Sequence, residues 1–133
     1  MSEDGLITLR SNHDAQATMD RLDAAVRAAG LTVFAQIDHA AGAAQAGLSL
    51  RPTAVLVFGN ARGGTPLMQQ KQTIGIDLPL KVLVWEDADG AVWLAHDDPR
   101  WLARRHGLGA GADAVTAAMA AALVKLTQAA ASP

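Results

Sequence analysis

Residues 53–68 constrain the fold most strongly, because an apolar run enters a glycine-rich turn there. Residues 55–58, Val-Leu-Val-Phe, show no polar alternation, which is typical of a strand buried on both faces. After the turn, Thr65 is predicted to cap a helix whose first residue is Pro66. This stretch therefore predicts a central strand, a tight reversal and a short helix that runs to about Lys71.

The rest of the chain alternates between strand and helix patterns. Strands are predicted at 6–10, 31–37, 53–58, 80–86 and 91–96, and helices at 13–29, 40–48, 65–71, 99–106 and 112–130. The order β-α-β-α-β-α-β-β-α-α favours an α+β fold, with a single mixed or antiparallel sheet of about five strands packed with helices.

Two local details of this prediction concern the beginning of the chain. Ser11, with Asp14 three residues later, resembles a helix start. In the strand that follows this helix, strict alternation places Leu31, Val33, Ala35 and Ile37 on one buried side.

Composition bounds the class of protein. A chain of 133 residues is expected to form one domain over residues 1–133. The net charge of -2 argues against a nucleic-acid partner. The chain has no cysteine, its acidic start does not resemble a secretory signal, and no window approaches the roughly 20 apolar residues of a membrane span. We therefore expect a cytoplasmic protein that has no membrane partner.

Several motifs together resemble one known family. They are Asp38-His39, Leu50-Arg51-Pro52, Phe58-Gly59-Asn60, Gly64-Thr65-Pro66-Leu67-Met68 and the run from Asp77 to Asp87. These motifs are similar to the family called domain of unknown function 302, and they cover residues from about 30 to 108. The resemblance implies a compact α+β fold that is often a homodimer, and it implies no assigned activity. The chain departs from the family pattern at Ala61, where proline is usual, and at His96-Asp97, where Tyr-Asn is usual.

The glycine turn is the first candidate site. A strand, a glycine turn and a helix start can present backbone N–H groups to an anion, and Arg62 would add positive charge. A small, anionic ligand is therefore predicted at Asn60, Arg62, Gly63, Gly64 and Thr65. The alternative is that the glycines only permit a tight reversal, since the turn lacks the Gly-Lys-Ser/Thr ending of a phosphate loop.

An enzyme is the second hypothesis. His39 would act as general acid or base, oriented by Asp38 or Asp77, and Lys81 would stabilise developing charge. The alternative for Asp38 and His39 is a strand-end pair that caps the following turn.

No metal or cofactor is predicted. The histidines His13, His39, His96 and His106 lack short metal-ligand spacing, although a site built from His39, His96 and a carboxylate stays geometrically open. The acidic tip at residues 86–89 is interpreted as a solvated turn, and the basic residues at 100–106 as a solvated face or subunit contact.

One predicted strand carries apolar groups on both faces. Lys81, Leu83 and Trp85 share one face, and Leu80, Val82 and Val84 share the other. If helices cover only one face, a second copy of the chain would cover the other, and a ligand pocket would do so in part. This argument predicts a homodimer. A purely structural interaction domain without a ligand is the third hypothesis.

Overall fold

Five strands form one antiparallel sheet in a computed structural model that describes residues 4–133. The strands lie in the order β1-β5-β4-β3-β2, and each neighbouring pair is antiparallel. Their bounds are β1 Leu6–Arg10, β2 Thr32–Asp38, β3 Thr53–Gly59, β4 Leu80–Glu86 and β5 Val92–Asp97. The acidic start of the chain lies largely in residues 1–3, outside the described residues.

Five helices and two 3₁₀ segments complete the fold of residues 4–133. The helices are α1 Ala15–Ala28, α2 His39–Gln45, α3 Ala61–Gln70, α4 Pro99–Arg105 and α5 Asp113–Ala131. The 3₁₀ segments are Gln72–Asp77 and Ala110–Ala112. The predicted α+β class and element order are confirmed, and the predicted central strand β3 has a neighbour on each side.

One face of the sheet carries the main core. Helices α1 and α5 pack there, because their apolar stripes meet the inward side chains of the central strands. This core contains Met19, Leu22, Val26, Leu56, Phe58, Val82, Val84, Val92, Leu94, Leu123, Leu126, Ala130 and Ala131. A second, smaller cluster of Leu67, Ile74, Leu102 and Ala112 joins α3, α4 and the Gln72–Asp77 segment.

The opposite face of the sheet, here called the outer face, carries apolar side chains that belong to neither core cluster of residues 4–133. The strand register places these residues together: Ile37, Val55, Val57, Leu83, Trp85, Trp93 and Ala95. The rings of Trp85 and Trp93 stack at the β4–β5 pair, with centroids 6.5 Å apart.

The predicted start of α3 is wrong. The helix begins at Ala61, and its N-cap is Asn60, whose side-chain Oδ1 accepts the Gly63 N–H at 2.7 Å. Thr65 and Pro66 therefore lie inside the helix. An asparagine is as good a cap as threonine, and capping at Asn60 lets the glycine turn become the first helical turn.

The predicted alternation of β2 is also wrong. A bulge between Val33 and Ala35 changes the register, so Val33 pairs with Phe58 on the core face while Ile37 pairs with Val55 on the outer face. At the start of α1, Asp14 is the N-cap and accepts the Ala17 N–H at 2.7 Å.

The expectation that no window of the chain approaches a membrane span is wrong for α5. With its preceding 3₁₀ turn, the span Ala110–Ala131 is long and apolar enough to cross a membrane by length and composition alone. Alanine supplies much of that apolar character. The same helix contributes Leu123 and Leu126 to the main core, and core helices pass the same test.

Candidate functional site

A cavity of about 620 Å³ lies where the end of β3, the start of α3, the middle of α5 and the approach to β4 meet. Its walls come from Leu31, Phe34, Gly59, Asn60, Ala61, Arg62, Gly63, Gly64, Thr65, Met68, Gly75, Leu78, Pro79, Leu80, Ala114, Val115, Ala118, Met119 and Ala122. This volume is within the range of small-molecule sites in proteins, about 300–1,000 Å³.

The wall of the cavity is mostly apolar, and its polar side chains, Asn60, Arg62 and Thr65, all belong to the start of α3. Met68 and Met119, which have flexible thioether side chains, lie on the apolar part. The first turn of α3 and its cap supply Asn60 and Arg62. No carboxylate in residues 4–133 pairs with Arg62, which is exposed. The cavity therefore suits a molecule with an apolar body and one polar or anionic end.

The five predicted ligand-binding residues all line this cavity. Two of the predicted amide donors are already used, because the Gly63 N–H bonds to the Asn60 side chain and the Gly64 N–H lies 3.3 Å from the Asn60 carbonyl oxygen. Because Gly63 and Gly64 have no side chains, they leave space in the cavity. A Cβ atom on Gly64 would come within 3.5 Å of Leu78 Cδ1, and one on Gly63 within 3.6 Å of Met119 Cε.

The four predicted catalytic residues do not come together in one site. His39 is exposed at the first position of α2, and Asp38 is the N-cap of that helix, accepting the Ala41 N–H at 2.9 Å. This arrangement matches the capping alternative for Asp38. Lys81 is exposed on the outer face of β4, and Asp77 ends the Gln72–Asp77 segment.

Asp77 does contact a histidine, but the histidine is His106. The Asp77 Oδ2 atom lies 2.5 Å from His106 Nε2, and Arg105 Nη1 lies 2.9 Å from both carboxylate oxygens. On the other side of the imidazole ring, His106 Nδ1 is 3.0 Å from Thr73 Oγ1. The basic residues at the end of α4 are therefore partly engaged in an internal network, rather than forming only a solvated face.

The other titratable groups are held in separate places. His96 is buried on β5, and its Nδ1 lies 2.9 Å from the Asp97 carbonyl oxygen. Within residues 4–133 no group of three or more histidine and acidic side chains is arranged to hold a metal ion.

At the β4–β5 hairpin, Trp93 Nε1–H donates to Asp87 at 2.8 Å, and this hydrogen bond is the main reason that the pKa of Asp87 is lowered.

Sequence reasoning missed the apolar half of the cavity. Val115 and Met119 on α5 line the cavity and also pack against the smaller core cluster. Their spacing with Ala118 and Ala122 at i, i+3 and i+4 is the signal that could have placed them on one helix face. Which part of this helix face borders the cavity depends on the position of α3. Helical spacing in the sequence does not give that position.

Comparison with known proteins gives a family for most of the chain. The family model "Domain of unknown function DUF302" matches residues 7–126. Two relatives, each called "Fluoride-specific ion channel FluC 1", are 49% identical over 117 residues. They come from Brucella suis biovar 1 (strain 1330) and Brucella abortus biovar 1 (strain 9-941), and the match covers 88% of this chain. The chain spans only 46% and 43% of their lengths, respectively.

A solved structure shares the fold. The crystal structure of an uncharacterised conserved DUF302 protein from Bacillus stearothermophilus has a TM-score of 0.84 with this chain at 17% identity. The superposition covers 95% of this chain and 98% of that chain. At this identity the similarity shows the fold alone, whereas the family model covers most of the sequence. The chain therefore belongs to the DUF302 family, a domain of unknown function.

Proposed function

We propose that this domain is a cytoplasmic binding module that holds a small amphiphilic molecule in the cavity between α3 and α5. The observation that carries the proposal is a mostly apolar cavity wall whose polar side chains, Asn60 and Arg62 among them, belong to the start of α3. An apolar tail would displace water from the region of Met68 and Met119. An anionic head group would lie near Arg62, whose guanidinium favours carboxylate or phosphate.

The name of the relatives refers to fluoride, which does not suit this cavity. Fluoride is a small and strongly hydrated anion, and moving it against an apolar wall would cost more desolvation energy than one exposed arginine returns. Since the chain covers less than half of those relatives, we propose ligand binding for the matched region only.

The test uses decanoate as the probe, compared with decanol and decylammonium. Isothermal titration calorimetry should show saturable binding of decanoate, weaker binding of decanol and the weakest binding of decylammonium. Arg62→Gln should remove most of the preference for decanoate over decanol, because it removes the positive charge at the polar end.

A matched pair of variants locates the site. Ala118 lines the cavity, whereas Ala117, its exposed neighbour on α5, does not. Ala118→Phe should fill the cavity and weaken decanoate binding by at least tenfold, and Ala117→Phe should leave it unchanged. If wild-type protein fails to saturate, or if both variants behave alike, the binding proposal is wrong and the structural-domain hypothesis gains support.

We also propose that a second copy of the chain covers the outer face. Leu83, Val55 and Val57 form an apolar centre on this face, and neither core cluster of the described residues includes them. The same face carries Arg10 and Lys81 together with Asp97, so a two-fold arrangement could bring opposite charges together at the rim.

A further inference from the structure

The cluster of Thr73, His106 and Asp77 lies outside the proposed ligand site. Gly75 and Leu78 line the cavity, whereas Thr73 and Asp77 contact the residues at the end of α4. In this cluster one imidazole ring bridges a hydroxyl group and a carboxylate, with contacts of 3.0 Å and 2.5 Å. This is the arrangement of groups that activates a hydroxyl nucleophile.

The tautomer of His106 follows from its partners. An ionised carboxylate can only accept hydrogen bonds, so Asp77 requires the proton of a neutral imidazole to be on Nε2. The Nδ1 atom then carries a lone pair and accepts the hydroxyl proton of Thr73. Arg105 contacts both oxygens of Asp77 and fixes the carboxylate in this orientation.

Exposure divides the cluster into a reachable group and a protected base. Thr73 is exposed at the surface. The side chain of His106 is only 8% exposed and that of Asp77 only 14%. A reagent in solution can therefore meet the hydroxyl group while the imidazole ring stays largely shielded from competing water.

We propose that Thr73 is a nucleophile that accepts acyl groups from activated esters, with His106 as its general base and Asp77 as a positioning residue. Thr73 Oγ1 attacks the carbonyl carbon of the ester and forms a new C–O bond, while its proton passes to His106 Nδ1. The ester C–O bond breaks, and the alcohol part leaves as an oxyanion. The proton on His106 Nδ1 passes to that oxyanion or to water. A water molecule then attacks the acyl-threonine and gives its proton to His106 Nδ1, which passes it to Thr73 Oγ1 as the acid is released and the hydroxyl group is restored.

The experiment uses p-nitrophenyl acetate with the full chain. Wild-type protein should release a burst of p-nitrophenolate, and peptide mass spectrometry should place one acetyl group on the peptide containing Thr73. Thr73→Val should abolish both signals, because it keeps the shape of the side chain without the hydroxyl. Thr73→Ser should retain the burst and the label.

Two further variants separate general-base catalysis from simple imidazole reactivity. His106→Gln should slow acetylation by about 10²-fold or more, the range of general-base assistance. His39→Gln is the matched control, since His39 is an exposed histidine outside the cluster, and it should leave the rate unchanged. Asp77→Asn should lower the rate of acetylation without changing the final extent of labelling of Thr73.

Other outcomes would overturn the proposal. Acetylation confined to lysines or the N-terminus would show that the cluster is only a structural bridge between α4 and the Gln72–Asp77 segment. A Thr73→Val variant that is folded by circular dichroism and keeps the burst would show the same. Decanoate binding by such a variant would leave the cavity proposal standing, so the two proposals can fail separately.

Discussion

At the scale of single residues, Asp87 organises the β4–β5 hairpin. Its Oδ2 accepts the Trp93 indole N–H at 2.8 Å, and its Oδ1 accepts the backbone N–H groups of Asp89 and Ala91, both at 2.9 Å. All three donors favour the ionised carboxylate, so the pKa of Asp87 falls below its ordinary value of 3.8, although partial desolvation opposes this shift.

The sign of the pH dependence follows from that shift. Because the folded-state pKa is depressed, the stabilising contribution of Asp87 is present above pH 3.8 and is lost as the pH falls through the lower folded-state value. A carbon-detected NMR titration should place the pKa of the Asp87 carboxyl below 3.8, with the Trp93 indole proton following the same curve.

A variant tests the cause of the shift. Trp93→Phe keeps an aromatic ring beside Trp85 but removes the indole donor. The pKa of Asp87 should then rise towards 3.8, since the largest of its stabilising interactions is absent. A titration curve of Asp87 that is unchanged by this variant would contradict the assigned cause.

At the scale of elements, two helices with aspartate caps differ in what they bury. Helix α1 buries Thr18, Met19, Leu22 and Val26, whereas no residue of α2 is buried. Fraying of α1 therefore exposes core side chains, while α2 can open locally without disturbing the core.

The caps should reflect this difference in denaturation experiments. Asp14→Ala should lower the free energy of unfolding by about 1 kcal/mol, a typical cost for a lost N-cap. Asp38→Ala should change it by less than about 0.5 kcal/mol, as expected for a surface position. Urea unfolding followed by tryptophan fluorescence measures both, and equal losses would show that α2 unfolds together with the core.

The N-cap of helix α3 could not be predicted from the sequence alone. Asn60 and Thr65 are both good N-caps, so local chemistry alone does not choose between them. The choice of Asn60 places Gly63 and Gly64 in the helix, where they can lie close to Met119 and Leu78. Those contacts come from distant parts of the chain, and they were not available to a local prediction.

At the scale of the whole molecule, the outer face is an apolar surface that neither core cluster of the described residues includes. A stable interface buries roughly 800 Å² on each partner, and five adjacent strands offer a surface of suitable shape. Sedimentation velocity should therefore give the mass of a dimer for wild-type protein at micromolar concentration.

Leu83→Arg places a charge at the centre of the outer face and should produce a monomer that keeps its far-ultraviolet circular dichroism. Leu48→Arg is the control, because Leu48 is 67% exposed and lies outside the sheet. It should leave the dimer intact. A monomeric wild-type protein would remove the argument for self-association.

The sequence by itself determined the element order, the α+β class, the interior position of β3 in the sheet and the turn between β4 and β5. These features depend on local periodicity, on turn chemistry and on unbroken apolar runs, which adjacent residues encode. The five cavity-lining residues that were predicted as a ligand site could be predicted as one cluster for the same reason, since residues 60–65 are neighbours in the chain.

Only the tertiary structure decided the rest. It paired Asp77 with His106 rather than His39, and it placed Met119 opposite the glycine turn to enclose a cavity. It also placed the bulge that turns Ile37 to the outer face. Each of these outcomes depends on contacts between residues far apart in the chain, whose register and packing are set by the sheet and the helices together.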